Sequence, residues 1–256
     1  MAPATVNFRG YMWHKCHAIA YLYFQYPAPP PLLVPAYTWT GCYIGGNAGS
    51  GWSTWTYSNP TDQPAIPGDR GDILANNFVA GGQVGCDYQS GGVVLGVQGQ
   101  FDWTQMKGRF HDAVTGIFDE TAEARWYATA TGRVGYAMTP SSLFYAKGGV
   151  AWINNRYQDI GVAGSFVCGG GNCNTVTSSP TSTRLGWTVG LGFEYMLGPN
   201  WSVFLEYDCL NFGTANIAFP GTVPPNSFQI AQHVQTVMLG LNFRLNFGGA
   251  PVVARY

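Results

Sequence analysis

From Thr236 to Phe247 the chain alternates: Val237, Leu239, Leu241, Phe243, Leu245 and Phe247 are apolar, while Thr236, Gly240, Asn242, Arg244 and Asn246 are polar or small. Met238 is the exception. A period of two over about ten residues marks a β-strand with one greasy and one polar environment. A soluble sandwich would turn the greasy face to a core. A transmembrane barrel would turn it to lipid and line the lumen with the polar face. The number of such strands, their connections and the contents of their polar faces decide between the two.

Seven more stretches carry the pattern, at about 39–57, 76–88, 93–104, 125–136, 143–157, 185–195 and 201–208. Tight turns at Ser90-Gly91, Thr139-Pro140-Ser141 and Gly198-Pro199-Asn200 join three pairs, as antiparallel neighbours require. The other connections are long: one holds Pro60, Pro64, Pro67 and Gly68, others span about 106–119 and 158–182, and the last carries Pro220, Pro224 and Pro225. Strict alternation of long and short puts every tight turn on one rim and every long loop on the other. The expected fold is therefore an all-β, eight-stranded antiparallel up-and-down transmembrane β-barrel over 39–247, with short periplasmic turns and longer extracellular loops.

Composition supports that sign of inside and outside. Only 10% of the 256 residues are charged, against about 25% in ordinary soluble domains, while 46% are hydrophobic. A surface facing lipid needs no coat of charge. No stretch reaches eighteen continuous apolar residues, so any crossing is made by strands. Trp39, Tyr136 and Trp201 fall near the tight-turn rim, and Trp52, Trp103, Trp126, Trp152 and Trp187 towards the loop rim, as two interfacial girdles would. A net charge of −1 without any Lys/Arg run gives no footprint for nucleic acid.

Residues 1–38 differ from the rest. Arg9 and Lys15 precede a short apolar run at 18–24, and Pro27, Pro29, Pro30, Pro31 and Pro35 follow. The run is tyrosine-rich and lacks an A-x-A cleavage site, so 1–38 reads as a divergent N-terminal segment with a proline-rich linker. The tail 248–256 leaves no expectation of a peptidoglycan-binding domain.

The lumen phase holds Asp87, Asp102, Arg125, Arg133, Lys147, Glu194, Glu206, Asp208 and Arg244. Unpaired charge in a narrow lumen is costly, so mixed signs predict an ion network. Eight strands enclose just enough room for their own side chains, so a plugged barrel is expected, with a narrow ion path as the alternative. Cys168 and Cys173 enclose a Gly-rich piece of the third long loop and could form a small disulfide-closed loop. Cys42, Cys86 and Cys209 lie on the lipid phase and read as small apolar fillers. Four scattered histidines offer no metal spacing, and His111 and His233 have no paired Ser and carboxylate, so neither metal, cofactor nor enzymatic activity is expected.

The segments Trp39-Thr40-Gly41-Cys42-Tyr43-Ile44-Gly45-Gly46-Asn47, Gly81-Gly82-Gln83-Val84-Gly85, Glu206-Tyr207-Asp208, Gly240-Leu241-Asn242-Phe243-Arg244 and the tail Pro251-Val252-Val253-Ala254-Arg255-Tyr256 resemble those of a known family. It is the small outer-membrane β-barrel proteins of alpha-proteobacteria, called outer-membrane immunogenic or porin-family proteins and similar in plan to the OmpA transmembrane domain. The resemblance implies a structural, surface-exposed protein of the bacterial outer membrane that contributes to envelope integrity. Its partners would be outer-membrane lipid, lipopolysaccharide and the assembly machinery, which would read Phe243, Leu245, Phe247 and Tyr256 as an insertion signal. Loop binding of haem or a host surface remains an alternative, and so does a soluble lipocalin-like barrel with an apolar interior.

Overall fold

The computed structural model describes residues 37–58, 70–111, 118–161, 176–219 and 226–245. Nine strands run in order: β1 (Gly41–Ser58), β2 (Arg70–Ser90), β3 (Val93–His111), β4 (Phe118–Thr139), β5 (Ser142–Gly161), β6 (Val176–Ser178), β7 (Thr181–Met196), β8 (Trp201–Phe219) and β9 (Asn226–Leu245). Each long strand pairs antiparallel with the next, β5 with β7, and β1 also pairs with β9, which closes the sheet. The short β6 only flanks the end of β5. Eight staves therefore make a closed antiparallel barrel, with tight turns at Gly91, at Pro140 and at 197–200 on one rim. Gly91 sits at φ 61°, a left-handed conformation that glycine adopts without steric cost in a two-residue hairpin.

The strands are longer than the sequence pattern suggests. Residues 106–111 and 118–119, expected as loop, continue β3 and β4; 209–219 and 226–235 likewise belong to β8 and β9. The reason is a change of environment along each strand. From the tight-turn rim to the tryptophan level, outward residues are apolar: Ile44, Val84, Val97, Val134, Leu191, Leu205 and Leu239 are all exposed. Beyond that level the inward face becomes apolar. Trp55, Ile73, Val79, Met106, Tyr127, Ile153, Tyr157, Phe212, Ile230 and Met238 pack into one buried cluster. Their outward neighbours are mostly polar: Thr56, Asp72, Gln105, Lys107, Arg156, Thr183, His233 and Gln235 are exposed, with Leu74 an apolar exception.

Three irregularities accompany this change, between Trp103 and Met106 on β3, Ala124 and Trp126 on β4, and Asn211 and Thr214 on β8. Each inserts a residue and shifts the in/out phase of one strand against its neighbour. The alternation itself breaks on β4 and β8, where a reading that follows one phase ends, while β3 keeps its phase from Phe101 to Arg109. A membrane band about 25 Å tall takes about ten tilted residues, so strands of 16 to 22 residues carry the barrel well past it.

Candidate functional site

The interior nearest the tight turns is polar. Asp87, Asp102, Arg133, Lys147, Glu194, Glu206, Asp208 and Arg244 are all buried there, supplied by β2, β3, β4, β5, β7, β8 and β9. Arg125, expected among them, is exposed. It shares the parity of Tyr127 and Arg133, but it is the extra residue of the β4 bulge, so it turns outward beside Trp126.

Two ionic groups share this interior. In the first, Arg244 holds Asp87 at 3.2 Å and Glu194 at 2.9 Å, while Arg133 holds Glu194 at 3.2 Å and also pairs with Asp87. Ser202 Oγ and Asn242 Nδ2 donate to Glu194 at 2.6 and 3.0 Å. The guanidinium of Arg133 lies 4.8 Å from the ring of Tyr43 and 4.9 Å from that of Tyr145, a cation–π sandwich. In the second group Lys147 pairs with Glu206 and, at 3.0 Å, with Asp208. Tyr145 links the groups by donating its hydroxyl to Glu206 at 2.8 Å. Lys147 then reaches Gln100 at 3.3 Å, and Gln100 donates to Asp102 at 2.8 Å. The chain of contacts thus runs from Arg244 to Asp102 across the barrel.

Inward glycines make the room. Asp87 faces Gly96, Asp102 faces Gly81, and Asp208 faces Gly190 across neighbouring strands. A Cβ at any of the three glycines would collide with the Oδ1 of its partner aspartate. An acid registered opposite a glycine is a sequence signal for this lumen, but one visible only once the register is known.

Trp39, placed in a girdle by its position, is instead fully buried. Its ring lies 4.5 Å from the Arg244 guanidinium, and its carbonyl accepts from Arg244 Nη1 at 3.2 Å. The inward phase of odd residues in β1 extends back to it. Trp52, Trp103, Trp126, Tyr136, Trp152, Trp187 and Trp201 face outward. Cys42 and Cys86 are not separate fillers but a disulfide, because the β1–β2 register sets them opposite each other on the outward face. Cys209 is free. Phe243 and Leu245 face outward on β9, whereas Phe247, Tyr256, Cys168 and Cys173 lie outside the described residues.

Higher up, the sequence reading missed the apolar cluster and the polar pair within it. Asn155 Nδ2 donates to Gln232 Oε1 at 2.6 Å, and Gln232 Nε2 returns a bond to Asn155 Oδ1 at 3.1 Å. Ile153, Tyr157, Ile230 and Val234 at inward parity were the available signal.

A closed antiparallel barrel with a lipid-compatible belt and a charged lumen fits a match found by sequence: the profile of the family described as Outer membrane protein beta-barrel domain covers residues 19–244. The chain belongs to this family. Family members similar to it include the 31 kDa outer-membrane immunogenic protein of Brucella melitensis, 28% identical over 223 residues, 85% of this chain and 88% of that one. The 22 kDa outer membrane protein of Rhizobium leguminosarum is 30% identical over 175 residues, covering 68% and 64%. Among solved structures, the outer membrane protein OprG from Pseudomonas aeruginosa covers 80% of this chain and 97% of its own at 12% identity, with a TM-score of 0.44. Family membership and the barrel together make this an integral protein of the bacterial outer membrane.

Proposed function

We propose that this barrel is a structural, surface-exposed outer-membrane protein whose lumen is plugged by its own side chains, that it contributes to envelope integrity, and that it is not an enzyme. One observation carries the reading: three of the four buried cations among the described residues, Arg133, Lys147 and Arg244, are paired with carboxylates from three other strands, and the apolar cluster around Ile153 and Met238 sits in the same lumen. Ions crossing such a lumen would have to break desolvated pairs and then enter a greasy segment. The similarity to proteins named outer-membrane immunogenic supports a surface role. Lipid and lipopolysaccharide would surround the belt, and outward Phe243 and Leu245, with Phe247 and Tyr256, would serve the assembly machinery.

Conductance across a planar bilayer tests the plug. The full chain, inserted in folded form, is expected to give no stepwise current at potentials the bilayer withstands. Regular single-channel steps from the unaltered protein would replace the plug with the narrow-channel reading.

A further inference from the structure

The Cys42–Cys86 disulfide joins β1 to β2 on the outward face, where the register sets the two residues opposite each other. Its surroundings are apolar. Ile44 and Val84 stand next to it towards the loop rim, Leu245 on β9 lies across from Cys42, and Val97 on β3 lies across from Cys86. All four are exposed on the outside of the barrel. One outward step from Cys86 towards the tight-turn rim, Tyr88 is exposed and stands with Tyr136 in the periplasmic girdle. The two sulfurs therefore sit on the hydrocarbon side of that girdle.

That position limits how the bond can be made. Disulfide exchange begins with a thiolate, which attacks a sulfur of the oxidant's disulfide. Hydrocarbon disfavours the thiolate, because a desolvated charge without a partner is costly. A folded, water-soluble oxidant also cannot reach sulfurs flanked by lipid chains. The unfolded chain has neither obstacle. No cysteine lies between Cys42 and Cys86 in the sequence, so each is the other's next neighbour over a separation of 44 residues. Because residues 59–69 join β1 to β2 as a long connection, no tight turn sets the register of this pair.

We propose that Cys42 and Cys86 are joined in the periplasm, before the chain enters the membrane, by exchange with a soluble protein that carries a reactive disulfide. The inference rests on the membrane reading above and adds a partner and an order of events to it. One cysteine thiolate attacks the partner's disulfide, forming a mixed disulfide and releasing one partner sulfur as a thiolate. The second cysteine thiolate attacks the chain's sulfur in the mixed disulfide, closing Cys42–Cys86 and releasing the partner's other sulfur. The chain's two thiols give up two protons and two electrons, and the partner's disulfide takes them up as a dithiol. The bond then holds β1 and β2 to the register that puts Cys42 opposite Cys86. It excludes the one-residue slip of either strand that would turn Ile44 or Val84 inward.

The test uses the full chain carrying C16S, C168S, C173S and C209S, which leaves one possible bond. The oxidant is a purified periplasmic thiol–disulfide oxidoreductase in its disulfide form, and a gel shift with maleimide-polyethylene glycol counts free thiols. The reduced chain meets the oxidant either unfolded, freshly diluted from urea, or already inserted in lipid nanodiscs, which leave both rims in water. Oxidation of the unfolded chain is expected to go to completion, and that of the inserted chain to be slower by about a hundred-fold or more, because the thiolate is desolvated. The oxidised chain, inserted in the same discs, is expected to resist the charged reductant tris(carboxyethyl)phosphine. Equal rates of oxidation in the two states, or no bond in the unfolded chain, overturn the proposal. Unboiled and boiled samples on an SDS gel separate two kinds of failure. Equal rates alongside a heat-modifiable band count against the order of events alone. If neither the reduced nor the oxidised chain gives such a band, the membrane reading fails. A reduced chain that does not insert where the oxidised chain does also places the bond before insertion.

Discussion

The half of the barrel near the tight turns and the half beyond the tryptophans use one set of strands with opposite polarity. In the first, Val97 and Leu205 face outward while Arg133 and Glu206 face inward. In the second, Lys107 and Arg156 face outward while Ile153 and Ile230 face inward. The hydrogen-bonded frame continues from one to the other, so the backbone does not dictate which face is greasy. The solvent does: lipid makes burial of apolar side chains unnecessary in the first half, and water makes it necessary in the second.

That contrast predicts how each half fails. The largest effect is expected in the ionic lumen. Glu194→Ala leaves Arg133 and Arg244 sharing Asp87 alone, and stranding buried charge in this way costs about 3–5 kcal/mol. Urea titration in lipid vesicles, followed by tryptophan fluorescence, should show the midpoint fall accordingly. Ile153→Ala opens a cavity in the outer cluster and should cost about 2–5 kcal/mol in the same titration. Ile44→Ala on the lipid face should cost much less, because lipid fills the space; equal costs would mean that the two halves do not differ in solvent. Charge placed outward gives a sharper contrast. Val97→Arg should destabilise by about 2–4 kcal/mol as a lipid-facing cation near the middle of the belt. Gln105→Arg, outward beyond Trp103, should change stability by less than about 0.5 kcal/mol. The smallest predicted difference is therefore also the one that locates the boundary.

Strand count, closure and lumen charge were legible because the lipid-facing half keeps a plain period of two. Leu239 to Leu245 and Leu185 to Tyr195 display it without interruption. The outer half was not legible, because its apolar positions switch to the inward face and bulges at Arg125 and Gly213 break the phase. Local periodicity carries no information about which solvent a strand meets. Arg125 was misplaced because it is the extra residue of its bulge. Trp39 was misplaced for a different reason: position near a rim says nothing of whether a ring points out to lipid or in to Arg244. The Cys42–Cys86 disulfide depended on register, which only the paired β1 and β2 supply.

The most direct test of the two-solvent barrel is a depth scan along β3. A nitroxide is placed one residue at a time at outward positions Leu95, Val97, Phe101, Gln105, Lys107 and Arg109, with cysteines other than Cys42 and Cys86 replaced. Collision with oxygen, enriched in lipid, is compared with collision with a water-soluble nickel chelate. The account predicts oxygen-dominated relaxation at Leu95, Val97 and Phe101 and nickel-dominated relaxation at Gln105, Lys107 and Arg109, with the crossover at Trp103. Oxygen dominance continuing to Arg109, or nickel dominance at Val97, would contradict it.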